Sequence, residues 1–263
     1  HSSNRRQRQM CIRDRKKTLK LPKLIGHRGV KDLCPENTLE SILKAFDLGL
    51  SFVEIDVKIS KDRVPILLHD DTLDRTTNGS GLAIDYDYEN IKKLDAGKFF
   101  YKENTNIFVP KLEDILSLCT NNNGNLNIEL KPNKKFEKEN VHQVYKIIKN
   151  INNIDIFFSS FDMISILEIS KLYPQSIRSF LLDDFKEYNI DDLISISINH
   201  DLKICGLNID LVTADIIKKI KESNMAITVY SNKNINLSSA NDIFSIGVDS
   251  IFVDNPLDLL GKF

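Results

Sequence analysis

Apolar positions along this chain follow two alternating periods. Short, almost wholly apolar runs at 126–130, 156–159, 179–182, 203–208, 226–230 and 250–253 predict strands. Between them, at 136–149, 162–172, 190–199, 214–223 and 237–246, apolar residues recur every three or four positions and predict helices, with a further short helix starting at Pro256. The strands leave no wet face in the pattern, which is how strands covered on both sides read.

The same beat begins upstream, more densely loaded with polar groups. A strand over 23–26 stops at His27, Arg28 and Gly29, where glycine permits a sharp turn. A helix starts behind Pro35 with Asn37 or Thr38 as cap, carries Leu39, Ile42, Leu43 and Phe46 at helical spacing, and stops at Gly49. The strand predicted over 52–59 alternates, so Glu54 and Asp56 share one face and Val53, Ile55 and Val57 the other. A third strand, 64–68, delivers His69 at its end. Residues 82–108 break the rhythm and predict an excursion with one helical turn near 88–94; periodicity resumes with Leu112, Ile115, Leu116 and Cys119.

Eight strand–helix steps in roughly 240 residues predict an α/β fold, a closed (β/α)8 TIM-type barrel with a small insertion after the second strand. The alternative is an open doubly wound sheet, but no Gly-x-Gly-x-x-Gly follows the first strand. In a barrel the ends of strands one, two and three would converge on one rim. His27, Glu54, Asp56, His69 and Glu129 would meet there.

Composition narrows the picture. With 263 residues and 41% hydrophobic content, one barrel-sized core is the natural division of the chain. The net charge of -1 conceals a basic segment over 1–20, with eight Lys or Arg against one Asp, and an acidic remainder of 28 basic and 36 acidic side chains. That predicts a disordered tail over 1–20 and a barrel domain over 21–263 that does not bind nucleic acid, which needs a basic face. No sustained apolar run occurs in 1–20, so neither an export signal nor a transmembrane segment is predicted, and a cytoplasmic location is expected. Cys11, Cys34, Cys119 and Cys205 lack C-x-x-C spacing, against both a zinc knuckle and a disulfide scaffold.

Glu54, Asp56 and Glu129 offer three hard oxygen donors without accompanying thiolates, a set suited to Ca²⁺ or Mg²⁺ rather than zinc. Pairing with Lys58 and Lys131 is the plainer alternative. His27 and His69 each follow an apolar strand, where imidazole can either exchange a proton near neutral pH or merely cap the strand end. Arg28 can grip phosphate oxygens with its planar fork, and Lys131 can add a point charge.

In order along the chain stand His27-Arg28-Gly29, Pro35-Glu36-Asn37-Thr38, Glu54-x-Asp56, His69-Asp70, Leu73-x-Arg75-Thr76-Thr77-x-Gly79 and Glu129-x-Lys131. This ordered signature resembles that of the glycerophosphodiester phosphodiesterase family, over about residues 23–254. The resemblance implies a metal-dependent enzyme hydrolysing small glycerophosphodiesters, such as glycerophosphocholine and glycerophosphoethanolamine, to sn-glycerol 3-phosphate and an alcohol. It implies His27 and His69 as the acid/base pair, with attack by the substrate's own glycerol hydroxyl or by water. Two alternatives are a lysophospholipase D-like phosphodiesterase on the same barrel and a glycerophosphodiester-binding protein without turnover. One departure stands at Val229-Tyr230-Ser231-Asn232, where the family usually carries a Trp-Thr-Val-Asn-like strand end and this chain has no Trp. Phe161 and Tyr230 are candidates for an apolar wall there.

Overall fold

A computed structural model describes residues 20–263; the basic segment read as a tail falls outside these residues except for Lys20. Eight parallel strands close a barrel, in the order β1 (Leu24–Gly26), β2 (Phe52–Ile59), β4 (Asn125–Leu130), β5 (Ile156–Ser160), β6 (Ile177–Leu182), β7 (Ile204–Asn208), β8 (Ala226–Tyr230) and β9 (Ser250–Val253), which returns to β1. Closure is made by Gly26 opposite Val53 on one side and Leu24 opposite Ile251 on the other.

The connecting helices are α1 (Leu39–Asp47), α4 (Leu112–Asn122), α5 (Glu137–Ile148), α6 (Met163–Leu172), α7 (Ile190–Asn199), α8 (Ala214–Glu222) and α9 (Leu237–Ser245). Five begin on a side-chain cap that accepts a backbone N–H in the first turn: Thr38, Asp162, Asn189, Thr213 and Asn236. Apolar stripes on the connecting helices, including Ile42, Val141, Ile166 and Ile217, cover the outward strand residues Val53, Ile55, Ile128 and Val229 in the main core. Inside the barrel, Phe52, Phe157 and Ile204 form an apolar plug near the strand starts. Further along, the buried residues turn polar, with Asn127, Ser159, Ser179 and Thr228.

The strand over 64–68 forms as β3 (Pro65–Leu67), outside the eight barrel strands, and runs antiparallel to β2, with Val57 opposite Leu67 and Ile59 opposite Pro65. The connection is far too short for the crossover that parallel pairing requires, so a hairpin is the only outcome. The segment from Pro256 makes a single turn, with the Leu260 N–H on the Pro256 carbonyl at 3.1 Å, and is not a helix; Gly261, at φ +70°, carries the chain out of helical conformation.

The insertion after β2 is also more structured than its sequence suggests. It holds a short 3₁₀ turn (Ala83–Asp85), α2 (Tyr88–Ile91) and α3 (Lys98–Tyr101). Ile66, Leu68, Leu73, Ala83, Ile91, Ala96 and Val109 give it a small core of its own. Among the described residues no helix is long and apolar enough to cross a membrane.

At the strand-start end, Arg178 is only 2% exposed and donates to the carbonyls of Tyr173, Pro174 and Ser176 before β6 and of His200 and Asp201 before β7. Arg178→Met removes every one of those donors, and an expected loss of about 3 kcal/mol should be read as a lower urea midpoint at constant slope.

Candidate active site

The loop after β1 is built by close approaches. His27 donates its N–H to the Val253 carbonyl at 2.9 Å, and the backbone then turns left-handed at Arg28 (φ +50°) and Gly29 (φ +85°). A Cβ on Gly29 would stand 2.3 Å from Ser41 Oγ, so only glycine lets the loop lie on the start of α1. The turn aims the Arg28 N–H at Glu54 Oε2, 2.8 Å away. Asn37, also left-handed at φ +58°, clamps Asp56: its Nδ2 donates to Oδ2 at 2.9 Å and its Oδ1 accepts the Asp56 N–H at 3.1 Å.

In the β2–β4 register Asp56 lies directly opposite Glu129, and Glu54 shares the face of Asp56. Ligand oxygens of Glu54, Asp56 and Glu129 lie within 4.8 Å of one another, the one such group of acids, histidines or cysteines among the described residues. All are buried, at 2%, 1% and 8% exposure. Lys131 Nζ lies 2.8 Å from Glu129 and 3.5 Å from Asp56, and Arg28 Nε 3.2 Å from Asp56. Burial opposes the charge on Asp56, but Arg28 and Lys131 hold its carboxyl well below the usual range. Glu54 is pushed the other way, by burial and then by the charges of Asp56 and Glu129. Its Oε1 is buried with no hydrogen-bond partner. Three carboxyl groups facing two cationic side chains, with one orphaned oxygen, fit a hard divalent cation.

Each histidine is backed by a carboxylate. His27 Nδ1 stands 2.6 Å from Asp254 Oδ1, and Lys31 holds the other oxygen of Asp254 at 3.0 Å. The opposite nitrogen, His27 Nε2, lies 4.0 Å from Glu54 Oε2. His69 Nδ1 stands 2.6 Å from Asp70 Oδ1. Arg75 grips Asp70 with Nε at 2.6 Å and Nη2 at 2.9 Å and also bonds Glu36, which bonds Arg28 at 2.8 Å. Burial lowers both imidazole pKa values despite these partners, so neutral imidazole is favoured.

His69 arrives at the end of β3, as the sequence predicts. Because β3 returns along β2, the Leu68 N–H reaches the Asp56 carbonyl at 3.2 Å and His69 follows beside the acids. One cavity of about 340 Å³ then collects His27, Arg28, Glu54, His69, Glu129 and Lys131 in its wall. Asp56 lies behind it, joined to Asn37, Arg28 and Lys131. Lys58 does not pair with these acids but with Asp71 at 2.9 Å. Arg75 braces its loop against the carboxylates of Asp70 and Glu36. Cys34 turns toward Tyr101, and His142 pairs with Glu168 on the outer helices.

Asp254, Lys31 and Asp183 were not singled out by sequence reasoning. Asp254 does carry a signal, since it directly follows β9 at the strand end where a barrel rim gathers its polar groups.

Fold and site together define a class: a (β/α)8 barrel whose rim sets a buried oxygen-donor cluster beside two carboxylate-backed imidazoles. Residues 27–258 match the Glycerophosphoryl diester phosphodiesterase family, and the chain belongs to that family. It is 31% identical over 244 residues to a glycerophosphodiester phosphodiesterase of Bacillus altitudinis, covering 90% of this chain and 96% of that one. Among solved structures it resembles a phosphodiesterase of Oleispira antarctica, in complex with the product sn-glycerol-3-phosphate, with TM-score 0.83 and 28% identity over 90% of this chain and 94% of that one. It also resembles a glycerophosphodiester phosphodiesterase of Agrobacterium tumefaciens, with TM-score 0.76 and 25% identity over 92% of this chain and all of that one.

Glu54→Gln separates repulsion from ligation. In chelator-treated protein the variant is expected to melt higher than wild type, because a buried, mutually repelling carboxylate is gone. A divalent ion at a hundred times its Kd should add about 2.7 kcal/mol to wild type and far less to the variant. Equal responses of the two proteins to the ion would remove Glu54 from the cation site.

Proposed function

We propose that this protein hydrolyses glycerophosphodiesters to sn-glycerol 3-phosphate and an alcohol, with Ca²⁺ or Mg²⁺ held by Glu54, Asp56 and Glu129 and with His27 and His69 as the acid/base pair. The observation that carries the reading is the pairing of both Nδ1 atoms with carboxylates, each at 2.6 Å, beside a single acidic triad. A carboxylate on Nδ1 keeps the proton there and leaves Nε2 as the basic atom.

One imidazole takes the proton of the attacking hydroxyl, either the substrate's glycerol hydroxyl or water. The other must enter the step as the imidazolium, a form that its carboxylate partner and the anionic substrate stabilise against burial, and it gives its Nε2 proton to the departing alkoxide, which cannot leave unprotonated near neutral pH. Asp254 and Asp70 orient the two rings and stabilise each as it becomes cationic. Arg28 and Lys131 line the cavity beside Glu54 and Glu129, where they attract the phosphate and hold it for in-line displacement. When bound, the divalent ion supplies charge stabilisation at the phosphoryl oxygens. The network Arg28–Glu36–Arg75–Asp70 couples the phosphate-binding loop to the loop that presents His69, so each supports the other's placement.

A coupled assay for glycerol 3-phosphate tests the reading. Chelation should abolish turnover and Ca²⁺ or Mg²⁺ restore it, while His27→Ala and His69→Ala should each lower kcat by about 10²–10⁴-fold. Turnover that survives both chelation and loss of the two histidines would overturn it.

A further inference from the structure

The cavity is electrically divided, and the half not used above points to the alcohol side of the substrate. Arg28, Lys31 and Lys131, from the β1 and β4 ends, make one side cationic. The wall contributed by β5, β6 and β8 includes no Lys or Arg and is formed by Phe161, Leu181, Asp183 and Tyr230. In the barrel order β6 lies four strands from β1, directly across the mouth.

Three features turn this wall into a subsite. Phe161 is 40% exposed and meets Tyr230 edge-on, with centroids 5.5 Å apart and planes at 89°. The Tyr230 hydroxyl donates to Asp183 Oδ1 at 2.9 Å, and Asn208 Nδ2 donates to the same oxygen at 2.8 Å. Both bonds fall on Oδ1, so the carboxylate is locked while Oδ2 stays uncommitted. Among the described residues no Lys or Arg pairs with Asp183, whereas its neighbour Asp184 is taken by Lys186 at 2.5 Å. Lys131 Nζ lies 5.5 Å from the Phe161 centroid, so Phe161 marks the border between the phosphate half and the anionic half.

An oriented carboxylate next to aromatic faces attracts ammonium groups, including quaternary ones that donate no hydrogen bond. A neutral polyol leaves that carboxylate without a partner, and an anionic group meets repulsion. Resting on the phosphodiesterase reading, we infer that Asp183, Tyr230 and Phe161 bind the leaving alcohol and select diesters whose alcohol carries a positively charged amine. The substrate is then zwitterionic, matched at one end by Arg28 and Lys131 and at the other by Asp183.

The test compares kcat/KM for glycerophosphocholine and for glycerophosphoglycerol, whose alcohol is uncharged, in the full chain and in Asp183→Asn. The variant keeps an acceptor for Tyr230 and Asn208 but loses the charge. Wild type is expected to favour the cationic substrate by about tenfold or more, and Asp183→Asn to bring the ratio close to one, mainly through KM. A ratio near one in wild type, or one unchanged by Asp183→Asn, overturns the headgroup assignment while leaving the phosphodiesterase reading standing. Failure of wild type to cleave either diester removes the phosphodiesterase reading instead, and the assignment with it. Should the variant not fold, wild type alone decides. Competitive inhibition by tetramethylammonium but not by neopentyl alcohol supports the assignment, and equal inhibition by both, or by neither, overturns it.

Discussion

Mutual repulsion among three buried carboxylates is the constraint around which this barrel mouth is arranged. Glu54, Asp56 and Glu129 lie close enough that their charges resist one another and far enough from water that little screens them. Arg28 and Lys131 neutralise part of the cluster, and the Asn37 amide and Arg28 N–H fix its oxygens. Three carboxyl groups still face only two cationic side chains, and the repulsion left among them makes the site receptive to a cation. A fully paired cluster would be more stable without a ligand and of less use to phosphate chemistry.

The neighbouring loops follow from the same need. Arg28 must present both its backbone N–H and its guanidinium to the acids, which forces the left-handed turn at Arg28 and Gly29. The hairpin of β2 and β3 brings His69 back beside Asp56, and the insertion packed on that hairpin supplies Arg75, whose guanidinium bridges Asp70 and Glu36. Rigidity at the rim therefore comes from ion pairs between loops. The apolar stability lies elsewhere, between the outer strand faces and the helices, so polar residues can occupy much of the barrel interior without unfolding it.

Much of this was readable along the chain. Helix and strand periods are local properties, and the pattern after residue 125 placed nearly every element within a residue or two. Glu54 and Asp56 were legible as a pair because alternation in a strand puts them on one face whatever the fold. Their partnership with Glu129 needed the barrel, since only the β2–β4 register sets Asp56 opposite Glu129. The direction of β3 was not readable from its residues, because apolar alternation carries no information about which way a strand runs; the length of the turn does. The helical turn at Tyr88–Ile91 lies within the stretch predicted for one, whereas those at Ala83–Asp85 and Lys98–Tyr101 were missed because each is about one turn long and is held by its packing, not by a period.

Composition and periodicity by themselves determined the eightfold strand–helix alternation, the positions of the strand-end histidines and acids, and the acidic character of the body, because these depend on neighbours within a few residues. Tertiary structure alone decided that Asp254 backs His27 across 227 residues of sequence, that Asp70 is anchored through Arg75, and that Asp183 and Tyr230 face the cavity together. Barrel closure brings β9 beside β1 and sets β6 across from it, and no local pattern encodes which distant side chains such closure will bring within a hydrogen bond's reach.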